Sequence, residues 1–536
     1  MSILPTMFPK AGGVVLPDDH AYGLAGKITG ENRPPVKGME GIISMHQALR
    51  IAIVLAGVAF SMGPAMAQRT DIVVGLVLEP PHLDPTSNAA AAIDEVVYAN
   101  VFEGLTRFGP DGDILPALAE SWDVSEDGLT YTFHLAEGVA FHDGSAMTAE
   151  DVVFSLDRAR GDGSVNAQKF LFDDIETVEA ADDTTVVVTL DRPNGSFPFN
   201  MAWGDAVIVA QESAETNATN PVGTGPFRFE GWRQGDSVTL VRNEDYWGEP
   251  ALLERATFRF ISDPTAAFAA MMAEDVDAFP VFPAPETLSQ LAADPRFEVV
   301  VGTTEGETIL AMNNRREPLD DVLVREAIAH AIDRQAVIDG AMFGYGTPIG
   351  THFAPHHPAY VDLTELSAYD PERSRELLAE AGVEGVRLSL ALPPPVYARR
   401  GGEIVAAQLR DVGIETDIVN VEWAQWLEQV FGNGDFDLTV ISHTEPMDIE
   451  IYGREDYYFG YGAPEFQALW DELSRTTDTE ARNGLLGDLQ RNISENFVNA
   501  YIFQLAKAGV ERVELEGMWV NAPTQATDLT KVYWAQ

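Results

Sequence analysis

Before residue 300 the apolar positions of this chain fall in short alternating or continuous runs; beyond it they settle into helical spacing. Ile72–Leu78, Thr184–Leu190, Val238–Val241 and Thr257–Ile261 have the composition of strands. Leu129, Tyr131, Phe133 and Leu135 alternate strictly, and Phe227 and Phe229 do the same ahead of Val238 and Leu240 across a turn. Later stretches predict helices over Val322–Asp339, Pro371–Ala381, Gly401–Val412, Trp423–Phe431 and Glu465–Ser474. Gly382 and Gly413 sit where two of these should stop, and "GIETDIV" then restarts an alternating strand. Thr148, followed by Glu150, Asp151 and the apolar Val152-Val153-Phe154, has the pattern of a helix N-cap with acids in the first turn. Gly223 and Gly225 punctuate the entry into the Phe227 strand. Strand–helix–strand alternation in the second half argues for an α/β fold.

The N-terminus bears on compartment. Met45–Arg50 is a short basic segment, Ile51–Phe60 an apolar run, and Ala65-Met66-Ala67 a small-residue cleavage site. The apolar run is too short to span a bilayer, which needs roughly 20 such residues. Residues 45–67 are therefore expected to be a cleaved signal peptide, residues 1–44 an upstream extension, and Gln68 the first mature residue. The stretch from Gln68 to Gln536 is too long for one core and suits two lobes.

Acidic residues number 84 against 34 basic ones, a net charge of −50. No basic run could follow a phosphate backbone, so no nucleic-acid partner is expected. The acids are scattered, as on a well-solvated surface. The chain has no cysteine, which removes disulfides, thiolate metal sites and a lipid-modified cysteine together. A soluble periplasmic protein, not a lipoprotein, is the expectation. No nucleophile-elbow, zinc-protease, P-loop or EF-hand spacing occurs. His352, His356 and His357 cluster in "THFAPHHPAY", but Pro355 and Pro358 make that an irregular loop, and no metal or cofactor is expected.

Two blocks carry a family resemblance. The first runs from "EGLTR" (Glu103–Arg107) through "PALAESW" (Pro116–Trp122) to "GVAFHDGSAMTAEDVVFS" (Gly138–Ser155); the second is "VGTGPFRFEGWRQGDSVTLVRNEDYWG" (Val222–Gly248). In this order the chain resembles the family 5 solute-binding proteins of peptide and nickel ABC importers. The resemblance implies a two-lobed periplasmic-binding-protein fold, class II-like, with an extra subdomain in lobe I. Lobe I would take residues 68–305, the subdomain about 107–220 within it, lobe II 306–507, and 508–536 would return to lobe I. Hinges would lie near Glu307–Asn313 and Ala500–Gly509. The implied role is capture of a short peptide or peptide-like solute by a monomer that delivers it to ABC permease subunits, with no catalysis. A binder of an opine, oligosaccharide or metal chelate is the first alternative; an exported hydrolase and a sensory or chaperone-like binder are the others.

The same resemblance points to site residues. Arg399 and Arg400 follow a proline-rich loop at a helix start, where dipeptide-binding relatives place an arginine against the peptide carboxylate. Peptide-binding relatives carry an aspartate four residues before the proline of the next loop; here Ser442 stands there, with Thr444, Glu445 and Asp448 close by. Glu445 or Asp448 is expected to take over the cationic end. Asn88 in lobe I should brush the solute, and Trp203, Tyr345 and Trp423 should supply flat walls, against the alternative that each packs a core.

Overall fold

The computed structural model describes residues 69–87, 90–444 and 447–535. The expected extension and signal peptide, and the site residues Asn88 and Glu445, lie outside these described residues.

An eleven-stranded sheet runs through both lobes. From its lobe II edge the order is Glu415–Asn420, Arg387–Leu392, Leu438–His443, Phe297–Met312 and Asn499–Arg512. It continues into lobe I with Ala278–Phe279, Asp71–Leu76, Arg255–Phe260, Ser237–Arg242 and Phe227–Arg233; Gly346–Pro348 pairs off this path. Phe297–Met312 and Asn499–Arg512 are the two crossover strands, antiparallel to each other and shared by both lobes. Their lobe II ends are covered on both faces, so Ile309, Leu310, Ala311, Ile502 and Phe503 are fully buried. Their register slips between Thr303 and Glu307, a bulge at the boundary between lobes.

Inserted in lobe I is a four-stranded antiparallel sheet: Ala119–Val124, Thr130–Leu135, Thr185–Leu190, Ile175–Asp182. The alternation read from sequence turns Tyr131, Phe133 and Leu135 inward, against Val152 and Leu156 of the helix Ala149–Arg160. Thr148 caps that helix: its N–H donates to Asp151 at 2.8 Å, closing a capping box.

Both sequence blocks meet in space. Glu103 of the first is buried and accepts from Thr224 Oγ1 at 2.8 Å, Tyr246 OH at 2.7 Å and Trp247 Nε1 at 3.0 Å of the second. Gly223 needs to be glycine, because a Cβ there would lie 2.0 Å from the Val101 carbonyl oxygen. The Gly223 N–H donates to His142 Nδ1 at 3.3 Å, leaving the His142 Nε2–H to donate to the Gly225 carbonyl at 2.9 Å.

Burial pushes the His142 pKa from 6.5 to about 4. Below pH 6.5 the unfolded chain therefore takes up a proton that the folded one refuses. Stability contributed by this neutral imidazole is present above about pH 6.5 and is lost as pH falls towards 4. Replacing it by His142→Gln is expected to flatten the acid slope of stability by on the order of 3 kcal/mol across that window. Urea titrations from pH 7.5 to 4 check this; parallel slopes in both proteins would refute it.

Three elements depart from the sequence expectation. Val322–Asp339 is two helices, Val322–His330 and Arg334–Met342, because Asp333 caps the second, accepting from the Ala336 N–H at 3.0 Å. The helix expected from Gly401 begins five residues earlier, at Val396 after Pro395. Trp423–Phe431 is a single α-turn, Trp423–Trp426, that widens into a π-helix over Leu427–Gly432. The longest helix, Thr479–Glu495, escaped the apolar pattern; its buried Leu486, Leu489 and Ile493 are interleaved with Gly484, Gly487 and charged residues.

Candidate functional site: the cleft between the lobes

Two sets of contacts lie beside the crossover strands. Near the bulge, His356 of the 352–358 loop lies between Thr303 Oγ1 at 2.6 Å and Glu305 at 2.7 Å. The Thr303 N–H donates to Asn521 Oδ1 at 3.1 Å, and Asn521 Nδ2 donates to Asp111 at 3.0 Å. In the other set, the subdomain touches the helical face of lobe II. The Gly195 N–H donates to the Ser474 carbonyl at 3.1 Å, and Arg482 Nη2 donates to Ser196 Oγ at 2.6 Å. Gly195 leaves that approach open: a Cβ would stand 2.2 Å from both Arg482 and the Thr476 carbonyl.

On the lobe II side, Arg399 and Arg400 sit in the first turns of Val396–Asp411. Arg399 Nη2 meets Glu422 at 3.1 Å and the Val421 carbonyl at 3.4 Å. Arg400 points to solvent with its guanidinium 5.3 Å from the centre of the Phe343 ring. Ser442 is half-buried in the strand Leu438–His443, and its hydroxyl has no hydrogen-bond partner. Thr444, just beyond that strand, is exposed. Tyr397, which the sequence pattern did not mark, bonds the Ser442 backbone, and burial pushes its phenol up to about 12.

Asp448 has partners within the protein. Its carboxylate accepts from His352 Nε2 at 2.6 Å and lies 3.7 Å from His443 Nδ1. Burial alone would raise its pKa, but these two imidazoles hold it well below the usual carboxylate range. His352 Nδ1 in turn lies 3.3 Å from the buried Glu307, so Glu307, His352 and Asp448 bring three potential metal-ligand atoms within 4.8 Å of one another.

The aromatic walls divide. Trp426 is core, donating Nε1–H to Thr439 at 3.0 Å, and Trp423 packs edge-on against it at 5.9 Å. Trp203 packs between the subdomain core and Phe199, with its indole N–H buried and unpartnered. Tyr345 is half-buried against the lobe I cluster around Phe279 and Val510.

Lobe I supplies a cluster that local pattern did not reveal. Asp94 lies on the helix Ala91–Val97, against Gly204; burial and the nearby Asp205 and Glu95 carboxylates push its pKa well up. Burial raises Glu95 and Asp205 to about 7. One carboxylate oxygen of Asp94 and one of Asp205 are buried without a hydrogen-bond partner. Lys507 on the second crossover strand is brought down to about 8 by burial, while its ammonium donates to the Trp519 and Asn521 carbonyls. A hollow of about 570 Å³ lies elsewhere, between Asn313, Arg315, Arg316, Phe431, Asp435 and Tyr458 of lobe II.

Residues 113–450 match the family of bacterial extracellular solute-binding proteins, family 5 (middle region). This chain belongs to that family. It is 32% identical over 426 residues to heme-binding protein A of Haemophilus influenzae, covering 70% of this chain and 76% of that one. It is 31% identical over 429 residues to the glutathione-binding protein GsiB of Pectobacterium atrosepticum, covering 78% and 80%. The solved structure of HbpA2 from Haemophilus parasuis superposes with a TM-score of 0.81 at 25% identity, over 87% of this chain and all of that one. The two-lobed α/β fold with its lobe I subdomain is thus that of the family 5 solute-binding proteins. Among the described residues no helix is long and apolar enough to cross a membrane.

Proposed function

We propose that this protein captures a short peptide or peptide-like solute between its lobes in the periplasm and hands it to the permease of an ABC importer, without chemical turnover. The observation that carries the reading is the pair of crossover strands with a bulge at Thr303–Glu307, in a chain of this family. With two strands passing between the lobes among the described residues, rotation there costs little, and a solute touching both lobes favours closure. Residues 68–305 and 508–536 are assigned to lobe I and 306–507 to lobe II, with the hinges near Glu307–Asn313 and Ala500–Gly509, next to that bulge.

The names of relatives support a peptide-like solute: a glutathione-binding protein and a dipeptide-binding protein from Escherichia coli stand among them. Polar atoms left without a protein partner (Trp203 Nε1, Ser442 Oγ and the Asp94 and Asp205 oxygens) would then be completed by the solute. Arg399 is assigned to the anionic end, since its partner Glu422 is 80% exposed and competes weakly. The cationic end falls to Asp94 and Asp205 together with Glu445, Asp448 being engaged.

A second reading, heme as the solute, is favoured by the name of one relative, heme-binding protein A. One melting screen separates the two. At 100 times Kd a bound solute stabilises the folded protein by roughly 2.7 kcal/mol. Dipeptides, tripeptides and glutathione are expected to raise the melting temperature as one coherent class. No shift with any peptide, alongside a shift with heme or with sugars, would reject the peptide reading.

A further inference from the structure

Behind the lobe II wall, four side chains from four separate segments converge on one point. Glu307 on the first crossover strand and His443 on the neighbouring strand are direct partners in the ladder. His352 comes from the loop after Gly346–Pro348, tethered by the Ser494 hydroxyl donating to the Gly350 carbonyl at 2.9 Å. Asp448 opens a short 3-10 turn behind Met447, which holds a left-handed conformation at φ 61°. The side chains of Glu307, His352 and His443 are 3%, 2% and 8% exposed and that of Asp448 17%, so water reaches this group from one side at most.

Two carboxylates and two imidazoles share this place. His352 places Nε2 2.6 Å from Asp448 and Nδ1 3.3 Å from both Glu307 and the Tyr452 hydroxyl, so one imidazole stands between two carboxylates. His443 Nε2 is paired with the Tyr458 hydroxyl at 3.0 Å. His443 Nδ1 lies 3.7 Å from the second Asp448 oxygen, so this imidazole and that carboxylate point at a common place. No lysine or arginine ion-pairs with Asp448 among the described residues.

We propose that Glu307, His352, Asp448 and His443 form a binding site for a divalent transition-metal ion. Two imidazole nitrogens and two carboxylate oxygens suit zinc, nickel or cobalt, and do not suit the all-oxygen shells of calcium or magnesium. A tetrahedral ion with bonds of about 2.0–2.2 Å sets its donors about 3.4 Å apart. The donors of Glu307, His352 and Asp448 lie within 4.8 Å of one another and would move inward to reach that spacing, with His443 Nδ1, 3.7 Å from Asp448, as the fourth. An outer shell is already in place. Tyr458 orients His443, and Tyr452 stands 3.3 Å from His352 Nδ1 and is itself bonded by Asn499 at 3.3 Å. The ion would tie the crossover strand to the Asp448 turn and so fix the lobe II wall.

Tag-free protein stripped with a chelator and dialysed against Zn²⁺, Ni²⁺, Co²⁺ or Mg²⁺ tests this. Elemental analysis and calorimetry are expected to show roughly one equivalent of Zn²⁺ bound with proton release, and no Mg²⁺. Co²⁺ should give the intense visible bands of a four-coordinate site. Asp448→Asn and His352→Gln are expected to weaken Zn²⁺ binding by more than the roughly 10–100-fold of an outer-shell change, and Tyr458→Phe by that smaller amount. His134→Gln, which removes a surface imidazole beside Asp123, should change nothing. Uptake well below one equivalent overturns the proposal, as does unchanged affinity in folded Asp448→Asn and His352→Gln. Should both variants fail to fold, the wild-type cobalt spectrum decides: weak, octahedral bands would overturn it.

Discussion

Glu103→Ala is expected to lower the free energy of unfolding by about 3–5 kcal/mol. The carboxylate collects three donors from one short segment: Thr224, Tyr246 and Trp247. Burial raises its pKa, and those three hydrogen bonds with the nearby Arg107 only partly offset the rise. Truncation leaves three donors facing a void, and each unsatisfied buried donor costs about 1–3 kcal/mol before the site relaxes. Glu103→Gln keeps an acceptor but turns an amide towards the donors, so a smaller loss is expected. Urea unfolding followed by tryptophan fluorescence measures both. A loss under about 1 kcal/mol for Glu103→Ala would mean that water takes over the three donors.

Arg325→Met should be of similar size, about 3–5 kcal/mol, by a different route. This guanidinium is 7% exposed and has no carboxylate ion pair among the described residues. It donates instead to carbonyls: Phe497 at 3.1 Å, Asn496 at 3.0 Å, Leu319 at 2.8 Å and Asp320 at 3.2 Å. Asn496 and Phe497 close the helix Thr479–Glu495, where the helix dipole is negative. Methionine preserves the apolar stem, so its effect isolates the lost hydrogen bonds. Arg325→Lys, retaining the charge but not the fork, is expected to fall between methionine and wild type. Equal stability of Arg325→Met and wild type would show that the carbonyls need no cation.

Local pattern carried the scaffold well where it depends on neighbours in sequence. Tyr131, Phe133 and Leu135 alternate and do face one core, and the Thr148–Asp151 cap forms as spaced. The pattern failed where apolar spacing ran on through a turn. Ala331 and Ile332 are buried like helix residues, and only Asp333 marked the break. Site chemistry was harder still. What decides the state of Asp448 is His352, 96 positions away, and what occupies Arg399 is Glu422, 23 positions away. Neither partner is visible from spacing within one element. The Asp94–Asp205 pairing likewise depends on a close approach at Gly204 that no motif encodes.

The shared sheet also sets an order of events for a chain made from its N-terminus. Asp71–Leu76 emerges among the first folded residues, yet one of its neighbours, Ala278–Phe279, is paired to Val510 and Glu511, and its Asp71 carbonyl is bonded by Trp534 at 3.0 Å. Lobe I therefore stays open-edged until almost the last residue has been delivered, while lobe II encloses its helices between strands that arrive earlier. Such long-range closure slows folding. Under the periplasmic reading proposed above, in which the chain crosses a membrane unfolded, that delay keeps the polypeptide from locking into its native shape until its tail has been delivered.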